Sequence, residues 1–140
     1  MYKRQPENPA ASRQRKTTLD ILEETTLFFE AALRSEGGRN ATRYLKQRGL
    51  KSDIVKTYRI GYSPRNGLRA ALRAKGFSDA DMLAAGVAGK SDHDGSVYDY
   101  FRDRVMFPIE NRQGGVIAFG ARSLGAVSYT HLTLPTTVIV

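Results

Sequence analysis

The chain has 140 residues, 41% of them hydrophobic, which suits one small domain with a modest core. It has no cysteine, which excludes a disulfide framework and a Cys-based zinc site, and no apolar run nears the roughly 20 residues that span a bilayer. Its 22 Lys+Arg against 14 Asp+Glu leave a net +8, a balance that favours polyanionic partners through counterion release.

The chain opens with "MYKRQ", Met1–Gln5. This stretch resembles one strand of the transposon-end adapter used for sequencing libraries, read from a GTG start. Pro6–Lys16 is polar and basic and carries Pro9, so it reads as a flexible linker. Thr17 or Thr18 can cap a helix running to about Arg34, with Leu22, Phe29 and Leu33 on one side and Gly37-Gly38 as its stop. Asn40 can cap a second helix that carries Tyr44 and Leu45 and ends at Gly49.

"RGLKSDIV" and "KGFSDADML" then share one design: a helix-ending glycine, an apolar residue, and Ser-Asp to start the next helix. The pattern predicts two short helical hairpins, capped by Ser52 and Ser78, with "IGYSP" as an extended link between them. Two copies fall short of a repeat protein. His93 and the carboxylates of "KSDHDGS" read as turn residues, and Gly95-Ser96 after Asp94 does not continue an EF-hand loop.

Beyond Asp94-Gly95 the period changes. "VYDYF" can extend, "RVMFPI" is a strand, "ENRQGG" a turn and "VIAFG" the return strand. The expected class is α+β, with N-terminal helices and short helical hairpins followed by a small antiparallel sheet. Pro108 cannot donate to a ladder and belongs at a strand end or edge. Val105, Met106, Phe107 and Ile109 are the expected core anchors of this strand.

A strand period of 2 sends Arg102 and Arg104 to one side, and Arg122 at the exit of the return strand can join them on one rim. Arginine's planar fork suits phosphate oxygens, and Gly120 and Ala121 permit close backbone approach. The plainer account is surface charge offset by Asp99 and Asp103. "FGAR" lacks the dinucleotide-binding spacing, and no Walker, GxSxG or HExxH pattern occurs, so no catalytic acid or metal ligand is assigned. The tail "VSYTHLTLPTTVIV" has no charged residue among Asp, Glu, Lys and Arg, and "VSYTHL" resembles the other strand of the same adapter. Met1–Gln5 and Val127–Val140 are therefore taken as non-biological, with residues 17–126 as the domain. Without Lys3 and Arg4 the balance is 20 against 14, still +6.

"YLKQRGL…IVKTYRIGYSP", "GFSDADMLAAGV" and "YDYFRDRVMFPIENRQGGVIAFGARSL" together resemble the bacterial DNA primase family of DnaG type, in its order and spacing over about Tyr44–Leu124. The part matched is similar to the N-terminal subdomain of the RNA-polymerase core. The resemblance implies template-binding residues at Arg48 in "KQRG", Arg102 and Arg104 in "FRDR", and Arg122 in "GARSL". A basic residue at Arg48 also suits the end of a helix dipole. Tyr100 stands where the family commonly has arginine, which removes a phosphate contact, and Ala121 where it commonly has glycine. The parent would then be a DNA-directed RNA polymerase that makes RNA primers from ribonucleotides on single-stranded DNA in the cytoplasm, at the replisome. It would carry a zinc-binding (Zn2+) domain before Pro6, an acidic TOPRIM segment holding Mg2+ or Mn2+ after Leu124, and a further C-terminal domain for the replicative helicase. The piece itself would have no cofactor, no membrane association and no activity alone. A non-enzymatic basic nucleic-acid-binding module, or a structural domain with a merely solvated basic face, would share the same arginines.

Overall fold

The computed structural model describes residues 9–124. Both adapter-like segments lie outside the described residues. The long first helix, α1, spans Pro9–Arg34. The segment expected as linker is thus helical from Pro9 onward. Ile21, Leu22, Thr25, Thr26, Phe29 and Leu33 form the buried stripe, three or four residues apart along the helix. The helix gives way to a 3₁₀ turn at Glu36–Gly38, where a Cβ on Gly38 would lie 2.4 Å from the carbonyl oxygens of Ala32 and Leu33.

Two helical hairpins follow, as the Gly-Ser-Asp punctuation predicts. The first joins α2 (Arg39–Gln47) to α3 (Ser52–Thr57), the second α4 (Leu68–Ala74) to α5 (Asp79–Ala85). Gly49 and Gly76 take the left-handed turn, with φ of +82° and +98°. Ser78 caps α5, accepting from the Asp81 amide at 3.1 Å. Two expected caps differ. Gly38 occupies the N-cap of α2, and Asn40 sits inside the helix, accepting instead from Arg43 at 3.4 Å. Lys51 occupies that of α3, and Ser52 is its first residue.

The extended link is itself a strand, β1 (Gly61–Ser63), buried along its length. After the small hairpin of β2 (Ala88–Lys90) and β3 (Val97–Asp99) come β4 (Arg104–Glu110) and β5 (Val116–Ser123). The main sheet is antiparallel in the order β1-β4-β5, so the class is α+β. Pro108 lies past the end of β1, where β4 has a strand neighbour on one side only.

Both faces of β4 are covered. Met106 joins Ile21, Leu22, Phe29, Leu72 and Met82 in one apolar cluster beneath α1, α4 and α5. Val105 joins Leu33, Leu45, Ile60 and Tyr62 in a second cluster under α2. Phe107 is only half-buried and Ile109 is 48% exposed, so the anchoring of β4 is narrower than its apolar sequence suggests.

Three polar devices fix the elements to one another. Arg59 has a left-handed backbone (φ +56°) and bonds both oxygens of Glu23, at 2.8 and 3.1 Å, together with Glu30 at 3.3 Å, which ties the start of β1 to α1. Asp99, 6% exposed on β3, accepts from the amides of Leu68 at 3.3 Å and Arg69 at 3.1 Å and so caps α4 from a distant strand. Tyr62 donates its hydroxyl to Asp103 at 2.8 Å.

Phe29 is 2% exposed, and its truncation to Ala should cost about 3–5 kcal/mol in urea unfolding, whereas half-buried Phe107→Ala should cost less. Burial, reinforced by the Asp103 bond, pushes the Tyr62 phenol from its usual 10 up to about 12. A raised phenol pKa means that folding favours the protonated ring, so this contribution is complete below pH 10 and is lost as pH climbs toward 12. Unfolding titrations should show that loss in the native chain and a shallower one in Tyr62→Phe.

Candidate nucleic-acid interface

The entrance to β4 is built around Ser63 and Asp103. The Ser63 carbonyl accepts from the Asp103 amide at 2.6 Å, and its hydroxyl accepts from the Arg104 amide at 3.1 Å. Ser63 is fully buried, so this junction is rigid. Asp103 is held there in the left-handed region at φ +58°, with its carboxylate engaged by Tyr62. Strand alternation therefore does not reach back to Arg102. Arg102 and Arg104 meet because the chain reverses its hand between them, not because they share one face of a strand.

Both line an open cleft of about 560 Å³, together with Arg65, Asn66, Tyr100 and Asp103. Arg65 belongs to the "SPRNG" turn between β1 and α4, and sequence reasoning missed it. Only the turn residues around it marked the segment as surface, and nothing local brings it to the mouth of β4.

Arg102 is held from beneath. Its guanidinium lies 5.2 Å from the centroid of the Tyr98 ring. Tyr98 is opposite Gly89 in the β2–β3 hairpin, and a Cβ at Gly89 would come within 2.7 Å of that ring. Glycine lets the ring lie across the neighbouring strand, and the ring carries the arginine.

Arg122 takes a different position. It pairs with Val105 across the sheet, and directly opposed residues share a face. Arg104 pairs with Ser123 on the other face. Arg122 thus stands at the same end of the sheet as Arg104 but on the side of the second cluster, so the three arginines do not form a single rim. Arg48 is also on that side: it caps the end of α2, and its guanidinium lies 5.0 Å from the centroid of Tyr44, which packs on the second cluster. Ala121 lies in β5 without a left-handed backbone, so its methyl group is accommodated.

The carboxylates expected to offset the arginine pair are otherwise engaged. Asp99 caps α4 and Asp103 receives Tyr62. The ion pairs Arg59–Glu23, Arg59–Glu30, Arg69–Asp79 and Lys75–Glu24 all lie away from the cleft. Among the described residues, none of Arg48, Arg65, Arg102, Arg104 and Arg122 is in an ion pair. His93 lies in the β2–β3 turn, its amide donating to Ser91. No three His, Cys, Asp or Glu side chains among the described residues converge where a metal ion could sit. What this surface offers chemically is a set of guanidinium groups, two of them resting on aromatic rings, suited to anionic oxygens.

Comparisons with known proteins show the family and the fold. The sequence matches the family described as DNA primase catalytic core, N-terminal domain, over residues 28–133. It is 38% identical over 122 residues to a DNA primase of Pseudomonas putida, covering 85% of this chain and 18% of that protein. A DNA primase of Salmonella typhimurium is 36% identical over 128 residues, 90% of this chain and 22% of the relative. The chain therefore spans about a fifth of the length of these curated relatives. Among solved structures, a DnaG primase catalytic domain bound to single-stranded DNA superposes with a TM-score of 0.75 at 32% identity, covering 90% of this chain and 41% of that one. The RNA polymerase domain of Mycobacterium tuberculosis primase gives 0.75 at 28% identity, over 84% and 38%. A chain that matches this family over most of its length, and folds as its solved members do, belongs to the DNA primase catalytic core N-terminal domain family.

Proposed function

We propose that this chain is the template-binding part of a DNA primase, and that its arginines receive the phosphates of single-stranded DNA. The observation that carries the proposal is the cleft at the mouth of β4, where Arg65, Arg102 and Arg104 gather without ion-pair partners among the described residues. Its likeness to a catalytic domain bound to single-stranded DNA supports the same reading. The strand passes round this end of the sheet, so that Arg122 and Arg48 contact it from the second face. The parent polypeptide would synthesise RNA primers from ribonucleotides during replication, with the replicative helicase as partner. Nucleotidyl transfer and its metal ions belong, in this proposal, to parts of the parent outside this chain. The described residues supply binding and orientation. No helix among them is long and apolar enough to cross a membrane.

The mechanism is electrostatic positioning. A guanidinium presents paired donors in a fixed plane to two phosphate oxygens, and each phosphate neutralised releases counterions. Such contacts hold a strand without reading its bases. Arg65→Ala, Arg102→Ala and Arg104→Ala should each weaken single-stranded DNA binding with little dependence on sequence. Each should also flatten the log–log salt slope by roughly 0.7. Stability should change by no more than about 1 kcal/mol, because the three side chains are exposed and form no ion pair among the described residues. Affinity measured over a salt series decides the matter, and unchanged slopes in all three variants would reject the proposal.

A further inference from the structure

We infer that Tyr100 is a stacking platform for a nucleobase of the same strand, an inference that rests on the phosphate-binding reading and deepens it. Tyr100 lines the cleft beside the three arginines and is 59% exposed. An aromatic ring so open to solvent normally moves freely, but this one is braced. It stands edge to face on Phe101, with centroids 5.0 Å apart and planes at 86°. Phe101 in turn contacts Phe119 at 5.8 Å and Phe29 at 6.4 Å, and Phe29 is part of the first apolar cluster. The backbone is fixed as well, since the Tyr100 amide donates to the Val87 carbonyl at 3.1 Å.

An exposed, rooted aromatic next to a group of cations is the arrangement by which proteins hold single strands: cations track the backbone while bases stack on rings. Tyr98 serves less well, because Arg102 and Gly89 already engage its ring. By sequence, Tyr100 stands where the resemblance implies an arginine and only removes a phosphate contact. Its place in the cleft gives it a role through its π-face instead.

The test measures binding of a labelled single-stranded oligonucleotide by fluorescence anisotropy, using the full chain and its Tyr100→Ala, Tyr100→Phe and Arg102→Ala variants. Tyr100→Ala should weaken binding about five-fold or more while leaving the salt slope unchanged, and Tyr100→Phe should bind like the native chain. On an oligonucleotide of the same length with abasic sites, native chain and Tyr100→Ala should be equal. Native-like binding by Tyr100→Ala, alongside weakened binding and a flatter slope in Arg102→Ala, would overturn the stacking role alone. So would an equal loss in Tyr100→Phe, which would implicate the hydroxyl, or a loss that persists on the abasic strand. No effect in either Tyr100→Ala or Arg102→Ala would overturn the phosphate-binding reading beneath it.

Discussion

Gly61 has no side chain, and α1 rests directly on β1 because of it. A Cβ there would lie 2.6 Å from the Cβ and carbonyl carbon of Phe29, a separation that packed atoms do not adopt. With the helix seated this closely, Phe29 reaches Phe101 and Phe119 beyond the strand. Arg59, two residues before the glycine, clamps the same helix from the side. The position of β1 then fixes Ser63, Ser63 fixes Asp103 and Arg104, and the cleft follows. Interiors packed at crystal-like density transmit such constraints, since no soft layer intervenes to absorb a shift.

The site uses a division of labour among charges. The fold gives the nearby carboxylates partners of their own: Asp99 caps a helix, and Asp103, which lines the cleft with the arginines, accepts from Tyr62. Each satisfies a polar group that burial would otherwise leave without a partner. The gathering of arginines at the mouth of β4 is a product of folding, since Arg65 joins Arg102 and Arg104 there from a separate segment. An unfolded chain with the same residues would spread its acids and bases evenly through solvent.

Much of this was legible in the sequence where the determinants are local. Gly49, Gly76 and Ser78 mark the hairpins because left-handed turns and caps depend on a few adjacent residues. The short apolar runs "RVMFPI" and "VIAFG", set apart by the turn "ENRQGG", mark β4 and β5 for the same reason. The departures come where distant groups decide. Gly38 rather than Asn40 starts α2, since the turn after α1 has room only for glycine. Asp99 caps a helix some 30 residues earlier in the chain, a partnership that no local pattern reveals. Arg102 and Arg104 were expected on one side through strand alternation, and they reach one cleft through a left-handed Asp103. Arg122 was expected beside them. Cross-strand register puts it on the opposite face, and register is set by pairing rather than by the residue itself.

The stack of Arg102 on Tyr98 over Gly89 bears on the cost of recognition. A free arginine on a protein surface samples many rotamers, a freedom worth roughly 2 kcal/mol that is surrendered when an anion orders it. Arg102 gives up part of that freedom on folding, because its guanidinium already rests over the ring. A lysine at this position would keep the charge but lose the planar group that rests over the ring, so charge-preserving exchange would restore the entropy penalty. Preorganisation of this kind passes the ordering cost from the encounter with the ligand to the synthesis and folding of the chain, where it is met once per molecule rather than once per binding event.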